Sequence, residues 1–402
     1  MIGFLKKRVS MGDRINIPQK RARVIAFYLP QYHPIEINDK YWGKGFTEWR
    51  NVTLAKPLFR GHYQPHLPAD LGFYDLRIPE VREEQALLAE EAGVEGFCYW
   101  HYWFKKGEEV LERPLDEVVR LKKPNFPFCI GWANHSWKTS TWTKLTTSDQ
   151  YIFKQEYLGN TDHIAHFYRL LDAFRDERYI KVEGKLLFII YDILGFENFL
   201  EFKSLWNQLA IENNLPGFYF VSHMETVGHI SVKTILTSGY IDKMINASIK
   251  NAFLSGADGI GTINMRNAEF KAYGKLCKLI YSASRRYLSS FILEKYDFKK
   301  IIQNILIEQN KQNNVFPEII NGNDRSPRAG RKAIIYYNVT PDSFYDGAKK
   351  VIDYVQHKDY DHRIIFLNSW NEWGEGMHME PDLKYGKGFI NALRDCLDPN
   401  LC

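Results

Sequence analysis

Short, nearly continuous apolar runs recur along the chain, each bounded by turn residues. Examples are VIAFY at 24–28, LLFIIY at 186–191 and IIFLN at 364–368. Parallel strands have this pattern, because helices cover both faces of a parallel sheet. Most of eight candidate segments fit it, and we predict strands at 24–28, 95–100, 127–132, 186–191, 218–222, 241–245, 317–320 and 363–368.

Helical patterns separate several of these strands, notably at 79–92, 197–213 and 342–356. Strands that alternate with helices predict an α/β fold with a parallel sheet, and eight of them predict a (β/α)8 TIM barrel. Two segments, 30–78 and 246–315, are longer than ordinary connections. We predict long inserted loops with an extra helical insertion over 246–315. The N-terminal extension is predicted to be 1–22, followed by a single catalytic domain over 23–395.

The predicted insertion contains a basic amphipathic stretch between Phe270 and Leu288. Two interpretations stay open. The stretch is either a helical layer packed on the barrel or a surface for peripheral contact with a membrane or a lipid-linked substrate.

The composition favours some classes of function and disfavours others. Aromatic residues make up 15% of the chain, and such a surplus of rings suits either a core or a cleft that stacks on sugars. A net charge of +5 gives no strong case for a nucleic-acid-binding protein. Five cysteines without a CxxC pair predict a reducing compartment. Without a leader-like or membrane-spanning apolar run, we predict a cytoplasmic location, with peripheral contact at the inner face of the membrane left open.

Polar and aromatic side chains gather where the predicted strands end. Barrel enzymes carry their active sites at the carboxyl ends of the strands, so these side chains are the candidates for substrate binding. They are Tyr28, Tyr32, His33, Trp100, His101, Tyr102, Trp103, Trp132, Asn134, His135, Trp137, Asp192, His223, Asp324, Arg325, Arg328, Trp370, Asn371 and Trp373.

Glu372 and Glu375, after the last strand, are the candidate catalytic residues. Their spacing would place both on one face of a helical turn. Two carboxylates in one cleft can have separated pKa values, as glycosidic-bond chemistry requires. A salt-bridged surface pair is the ordinary alternative, which the flanking Trp370 and Trp373 disfavour.

Three rival motifs are weaker. Glu375 and His378, with Glu380 nearby, have a spacing used by metal ligands, but no second such motif occurs, so we predict no metal and no cofactor. The DYD sequence at 359–361 precedes the last strand, which places it at the opposite end of the barrel. The glycines at 256–261 match a dinucleotide-binding fingerprint poorly.

Seven segments in a fixed order carry a family resemblance. They are AFYLPQYHP (26–34), YWGKGFTEWRNV (41–52), GFCYWHYWF (96–104), LERPLDEV (111–118), PFCIGWANHSW (127–137), GNDRSPR (322–328) and NSWNEWGEG (368–376). The chain resembles the WbsX-type glycosyltransferases of bacterial surface-polysaccharide loci (O-antigen, lipopolysaccharide or capsule). That family is itself similar to glycoside hydrolase family 99, the endo-α-mannosidases.

The resemblance implies a barrel with a retaining site and no metal. Glu372 would be the base that acts on the 2-hydroxyl of the sugar, which gives an anhydro-sugar intermediate. Glu375 would protonate the leaving oxygen and then act as the base for the acceptor. The more common route through a covalent nucleophile stays open.

A basic segment after the seventh predicted strand bears on the substrate. Barrels often bind phosphate there, and arginine suits bidentate contact with phosphate. The segment contains Arg325, Arg328, Arg331 and Lys332. A nucleotide sugar or a lipid-diphosphate-linked glycan would need such a patch. The alternatives are a solvated loop and an ion pair between Asp324 and Arg325.

We therefore predict a retaining glycosyltransferase of bacterial surface-polysaccharide biosynthesis. The runner-up is an endo-acting glycoside hydrolase or transglycosidase, and the third possibility is a saccharide-binding protein without catalysis. The predicted partner is a saccharide, with no nucleic acid. The sugar, its linkage, the acceptor and the oligomeric state stay open.

Overall fold

A ring of parallel strands forms the centre of the molecule. The computed structural model describes residues 20–142, 149–227, 239–284 and 291–400. The barrel strands are β1 (Arg23–Tyr28), β2 (Gly96–Trp103), β3 (Phe128–Trp132), β4 (Lys185–Ile190), β5 (Phe218–Glu225), β6 (Gly259–Ile263), β7 (Val315–Phe316 and Glu318–Ile319) and β8 (Ile364–Leu367).

Each barrel strand pairs in parallel with the next, and β8 returns to β1. The strand β7 is in two pieces because Pro317 has no N–H to donate. Its first piece pairs with β6, and its second piece pairs with β8. The two pieces together close the ring, which confirms the predicted TIM barrel.

Helices follow most of the barrel strands, where the longer ones cover the outside of the ring and shorter ones lie in the loops. They are Glu36–Trp42, Trp49–Leu54, Pro79–Glu91, Arg113–Leu121, Asn160–Arg169, Leu171–Phe174, Phe199–Glu212, Tyr240–Leu254, Met265–Ala283, Phe298–Ile302, Ser326–Ala329, Pro341–Tyr354 and Gly388–Leu397. The helix Pro341–Tyr354 shows how the sequence starts one. Thr340 accepts a hydrogen bond from the N–H of Ser343, and Pro341 occupies the first helical position.

Short strands outside the ring shape the loops. They are Glu109–Val110, Trp137–Lys138, Tyr151–Phe153, Lys181–Val182, Glu294–Asp297, Ile334–Tyr337, Asn371–Glu372 and Met377–His378. The last two pair as an antiparallel hairpin directly after β8.

Seven of the eight predicted strands are confirmed, and the strand predicted at 241–245 is wrong. That segment lies in the helix Tyr240–Leu254, and the sixth barrel strand is β6. Glycines replace the expected apolar residues in β6, because a Cβ on Gly259 or Gly261 would collide with Phe316, His223 and Phe366. The predicted insertion over 246–315 therefore contains β6 and the start of β7, and only its middle part is additional to the barrel.

The basic amphipathic stretch is less exposed than its sequence indicates. Phe270 is buried, and the Lys278 Nζ donates to Glu294 at 2.7 Å and to the Tyr296 hydroxyl at 2.9 Å. Leu276 and Ile280 are exposed. Residues 285–288 of the stretch, and 1–19 of the predicted N-terminal extension, lie outside the described residues.

Most of the aromatic surplus is core. Trp206 is fully buried and packs against Phe188 and Phe218, with ring centroids 5.0 and 5.3 Å away. This packing joins the helix Phe199–Glu212 to β4 and β5. Across the described ranges, none of the helices has the length and apolar character needed to cross a membrane.

Candidate active site

The hairpin after β8 carries the two candidate glutamates. Asn371 pairs with His378, and Glu372 pairs with Met377. A single 3-10 turn over Trp373–Glu375 joins the two strands. This turn brings Glu375 to the same side as Glu372, as their spacing predicted.

Two buried side chains fix the hairpin to the end of β1. The Asn371 amide accepts from the N–H of Leu29 at 2.7 Å and donates to its carbonyl at 3.0 Å. The N–H of Trp373 donates to the Tyr32 hydroxyl at 3.0 Å. Asn371 and Tyr32 therefore position the glutamates and do not line the cleft themselves.

The guanidinium of Arg328 connects three carboxylates. Its Nε donates to Glu48 at 2.7 Å, its Nη2 donates to Glu372 at 2.9 Å, and its Nη1 donates to Glu375. Only 6% of the Arg328 side chain is exposed, and Glu48 is fully buried. The ring of Trp142 lies beneath the guanidinium, 4.9 Å from its centre. We call these four charged residues the arginine–carboxylate cluster.

Gly374 makes this close packing feasible. A Cβ at Gly374 would lie 1.9 Å from a Glu48 oxygen and 3.0 Å from the Arg328 Nε. The glycine between the two candidate glutamates therefore reflects the approach of the hairpin to Glu48.

Burial and nearby charges shift the pKa values of Glu372 and Glu375 in opposite directions. Burial raises the pKa of Glu372 to about 7, although Arg328 opposes the shift. The pKa of Glu375 lies below its usual value, because Arg325 and Arg328 together outweigh its burial. At neutral pH Glu375 is ionised, and Glu372 exchanges a proton in the physiological range.

Arg325 is the more accessible of the two arginines. Its Nη2 lies 2.8 Å from Glu375, and 44% of its side chain is exposed. The alternative of an ion pair between Asp324 and Arg325 is not formed, because Asp324 faces His62 and Gln64, each at 2.7 Å, and Arg325 faces Glu375. Arg328 is likewise a buried partner of carboxylates and does not form a free basic patch.

A cleft of about 370 Å³ opens above the cluster at the carboxyl end of the barrel. The predicted residues that line it are Trp100, Tyr102, His135, His223, Arg325, Arg328, Glu372 and Glu375. Trp100 lies flat against Phe27, with ring centroids 4.6 Å apart and planes 5° apart. Burial lowers the pKa of His135 to about 4 and that of His223 to about 3, so both rings are neutral at pH 7.

Further cleft residues were not predicted as site residues. Glu48 holds Arg328, Trp142 supports it, and Tyr191 and Glu318 line the cavity. Burial raises the pKa of Glu318 well above its usual value, so this side chain is a neutral carboxyl. Glu48 belongs to the GFTEW sequence that carries the family resemblance, and Glu318 interrupts an apolar strand. These two features of the sequence could have indicated Glu48 and Glu318 as site residues.

Four predicted residues face the layer between the barrel and its helices, away from the cleft. The Tyr28 hydroxyl donates to Gln85 at 2.7 Å. His101 and Trp103 both pack on His166, and the Trp132 indole donates to the Trp103 carbonyl at 2.8 Å. Their prediction as ligand contacts is wrong, because alternate residues of a strand point to opposite faces.

The remaining predicted residues are buried in the loop layer or tie loops together. His33, Trp137, Trp370 and Trp373 are buried, and none of them lines the cleft. Asn134 fixes the loop after β3 by accepting from the N–H of Asp192 at 2.8 Å and donating to its carbonyl at 2.7 Å. Asp324 lines a neighbouring cavity of about 190 Å³.

The residues of the rival metal motif do not converge on one site, and the DYD sequence lies away from the cleft. Glu375 faces Arg328 whereas His378 faces His66, so the predicted ligand spacing does not converge. Asp361, of the DYD sequence, accepts from Arg23 at 2.5 Å. Arg23 begins β1, which confirms that this loop lies at the opposite end of the barrel.

Comparison with known proteins identifies the family of this chain. A family model described as glycosyltransferase WbsX matches residues 24–393. The chain belongs to this family. The WxcX proteins of two Xanthomonas campestris pv. campestris strains, B100 and ATCC 33913, are each 30% identical to this WbsX-family chain over 379 residues. Those matches cover 94% of the chain, which spans about half the length of these curated relatives.

Two solved structures share the fold. One is described as a glycoside hydrolase-like protein, with a TM-score of 0.54, 12% identity and 98% of each chain covered. The other is the GH99 endo-alpha-mannosidase from Bacteroides thetaiotaomicron in complex with BIS-TRIS-propane. It has a TM-score of 0.50 and 15% identity, and covers 93% of this chain and 95% of its own. The WbsX-family chain therefore shares its barrel fold with both of these structures.

Proposed function

We propose that this protein transfers a sugar, with retention, from a phosphate-linked donor to a saccharide acceptor of a bacterial surface polysaccharide. The observation that carries the proposal is the charge state of Glu375, which Arg325 and Arg328 hold ionised. Cleavage of a glycan needs a protonated acid at the leaving oxygen. A phosphate is a stable leaving group without a proton, so an ionised Glu375 suits a phosphate-linked donor.

In this proposal Glu372 acts first. Its pKa of about 7 is close to the optimum for a general base at neutral pH. Glu372 removes the proton of the 2-hydroxyl, whose oxygen attacks the anomeric carbon while the phosphate leaves. The product of this step is an anhydro-sugar held in the cleft.

Glu375 acts second. Its carboxylate removes the proton of the acceptor hydroxyl, which attacks the anomeric carbon and opens the anhydro ring. The 2-oxygen then recovers its proton from Glu372. Two inversions at the anomeric carbon give net retention.

Trp100 and Tyr102 are proposed to hold the sugar. Trp100 offers a flat, partly exposed ring at the cleft wall, and rings of this kind pack on the apolar faces of sugars. The neutral side chains of His135, His223 and Glu318 offer hydrogen-bonding atoms to sugar hydroxyls. The His223 Nδ1 and one Glu318 oxygen are buried without a hydrogen-bond partner in the described structure.

Hydrolysis or transglycosylation of a glycan is the second candidate, because the shared fold is that of a glycoside hydrolase-like protein and an endo-alpha-mannosidase. Ligand-observed NMR with a panel of nucleotide sugars and polysaccharide fragments distinguishes the candidates. We expect one nucleotide sugar to bind and be consumed slowly, and Glu372→Gln to bind it without turnover. Cleavage of glycan fragments alone would establish a glycosidase, and binding without any turnover would establish a lectin-like protein.

Arg325→Ala tests the phosphate contact. Since Arg325 is the most exposed of the arginines that line the cleft, we expect this change to raise the KM for a nucleotide-sugar donor at least tenfold, with a smaller effect on the KM for the acceptor. Lys332→Ala is the matched control, because Lys332 is an exposed cation of the same segment that does not line the cleft. Equal donor KM values for Arg325→Ala and the wild type would refute a phosphate role for this arginine.

We also propose a cytoplasmic site of action, where nucleotide sugars are made. Peripheral contact with the membrane would suit a lipid-linked acceptor. The exposed side chains of Leu276 and Ile280, four residues apart on the helix Met265–Ala283, support this part of the proposal, because exposed apolar side chains on one helix suit an interface with lipid.

A further inference from the structure

Two histidine rings meet behind the hairpin that carries Glu372. The Nδ1 of His66 lies 2.9 Å from the Nε2 of His378. Each ring also has its second nitrogen next to a main-chain carbonyl. The His66 Nε2 is 3.1 Å from the Tyr63 oxygen, and the His378 Nδ1 is 3.1 Å from the Glu380 oxygen.

These carbonyl contacts fix the hydrogens on the rings. A carbonyl oxygen only accepts hydrogen bonds, so the ring nitrogen beside it carries the hydrogen. A neutral imidazole has one such hydrogen. The two nitrogens that face each other are therefore both lone-pair acceptors, and two lone pairs at 2.9 Å repel unless a cation lies between them.

A proton is a poor candidate for that cation at neutral pH. Burial lowers the pKa of His66 and of His378 to about 4, and the neighbouring His378 adds to the shift of His66. Both rings are therefore neutral near pH 7, which is the form that binds metal ions.

A carboxylate completes the group. One Asp382 oxygen accepts from the N–H groups of Lys384 and Tyr385, at 2.9 and 2.6 Å. The other lies 3.9 Å from the His378 Nε2. One donor atom from each of His66, His378 and Asp382 falls within 4.8 Å of the others. Donors at tetrahedral corners around Zn²⁺ lie about 3.3 Å apart, so small side-chain adjustments suffice.

We propose that His66, His378 and Asp382 bind a borderline divalent cation, with Zn²⁺ as the representative. Two imidazole nitrogens and one carboxylate oxygen are a donor set that suits Zn²⁺ better than Mg²⁺ or Ca²⁺. The carbonyls of Tyr63 and Glu380 are the outer partners that hold the two rings in the ligating tautomer. The neighbouring cavity of about 190 Å³ leaves room for a water or a substrate oxygen as the fourth ligand.

The ion would position the catalytic hairpin. His378 pairs with Asn371, next to Glu372, in the register of the hairpin. A metal bound there would join the hairpin to the loop that carries His66 and to the turn that begins at Asp382. The sequence predicted no metal, because His66 and His378 are 312 residues apart and only the fold brings them together.

The test is metal binding by the 402-residue chain after dialysis against a chelator. We expect one equivalent of Zn²⁺ to bind in competition with a chromogenic chelator, and Co²⁺ to give visible absorption bands of tetrahedral or five-coordinate geometry. His66→Gln and His378→Gln should each weaken Zn²⁺ binding at least 100-fold. His357→Gln is the control, because His357 is an exposed histidine that also contacts two carbonyls, and it should bind like the wild type.

Thermal unfolding gives a second readout. We expect Zn²⁺ to raise the Tm of the wild type and of His357→Gln, but not that of His66→Gln. Should His378→Gln fail to fold, the half-buried His66 and the Co²⁺ spectrum of the wild type still decide the question. Zn²⁺ binding that is absent in the wild type, or unchanged in His66→Gln, would overturn the proposal. Activity plays no part in these measurements, so their outcome is independent of the proposed transferase reaction.

Discussion

Glu372→Gln is expected to abolish donor cleavage while the donor still binds. The amide keeps the shape of the carboxylate but cannot take a proton from the 2-hydroxyl, and loss of a general base typically costs about 10²–10⁴-fold in rate. The measurement is release of the nucleoside diphosphate in single turnover, alongside the donor Kd. We expect the Kd to change less than threefold.

Glu375→Gln is the matched variant, because the same substitution three residues away removes the other carboxylate. It should still release one equivalent of nucleoside diphosphate and then stop, since only the acceptor step needs Glu375. Equal loss of the first turnover in both variants would contradict the proposed division of roles.

The pH profile adds an independent check on Glu372. Glu372 must lose its proton to act as the base, so donor cleavage should rise with pH through about 7. The rise should be absent from the residual activity of Glu372→Gln.

A donor that lacks the 2-hydroxyl separates the two retaining routes. It should be inert when Glu372 is a base, and turned over when a carboxylate attacks the anomeric carbon directly.

The sequence predicted the barrel well, because buried parallel strands are continuous apolar runs. It failed at β6 for a physical reason: Gly259 and Gly261 make room for Phe316, His223 and Phe366, and a strand built from glycines has no apolar signature. The start of the helix Tyr240–Leu254 contains Ile241, Met244 and Ile245, and these apolar residues led to the wrong prediction of a strand there.

The strand β2 shows the limit of predicting individual site residues. All of its positions are aromatic or apolar apart from His101, so the sequence did not indicate which alternate set faces the cleft. Trp100 and Tyr102 line the cleft, whereas His101 and Trp103 pack outside. The register of a strand in the closed ring decides which of its residues face the cleft, and this register depends on all eight strands.

The sequence also did not predict the contacts that the long segment after β1 makes with the site. Glu48 lies 280 residues from Arg328, and His62 lies 262 residues from Asp324. The motif NEWGEG therefore identified the glutamates, but the groups that set their charge come from a distant loop. For this reason the sequence supported a catalytic pair without showing which of the two is ionised.

Arg328→Met is expected to destabilise the protein strongly. Methionine fills a similar volume, but Glu48, Glu372 and Glu375 lose the guanidinium that neutralises them. Removing one partner of a buried ion pair costs about 3–5 kcal/mol, because a charge is left in a medium that solvates it poorly. Urea unfolding at pH 7 should show this loss in the free energy of unfolding. Arg325→Ala is the control, and it should cost less than about 1 kcal/mol because Arg325 is half exposed.

The pH dependence of that loss identifies its cause. Without Arg328, the folded-state pKa values of the carboxylates lie above their unfolded-state pKa values. At pH values between these two, the folded protein therefore binds more protons than the unfolded protein. Stability then falls as pH rises through this window, which begins near the unfolded pKa of about 4.3. Arg328→Met should therefore lose more stability at pH 8 than at pH 5. Adding Glu48→Gln should restore part of the loss at pH 8, because Glu48 is the fully buried member of the cluster. A loss independent of pH and unaffected by Glu48→Gln would mean that Arg328 acts through packing on Trp142 and not through charge.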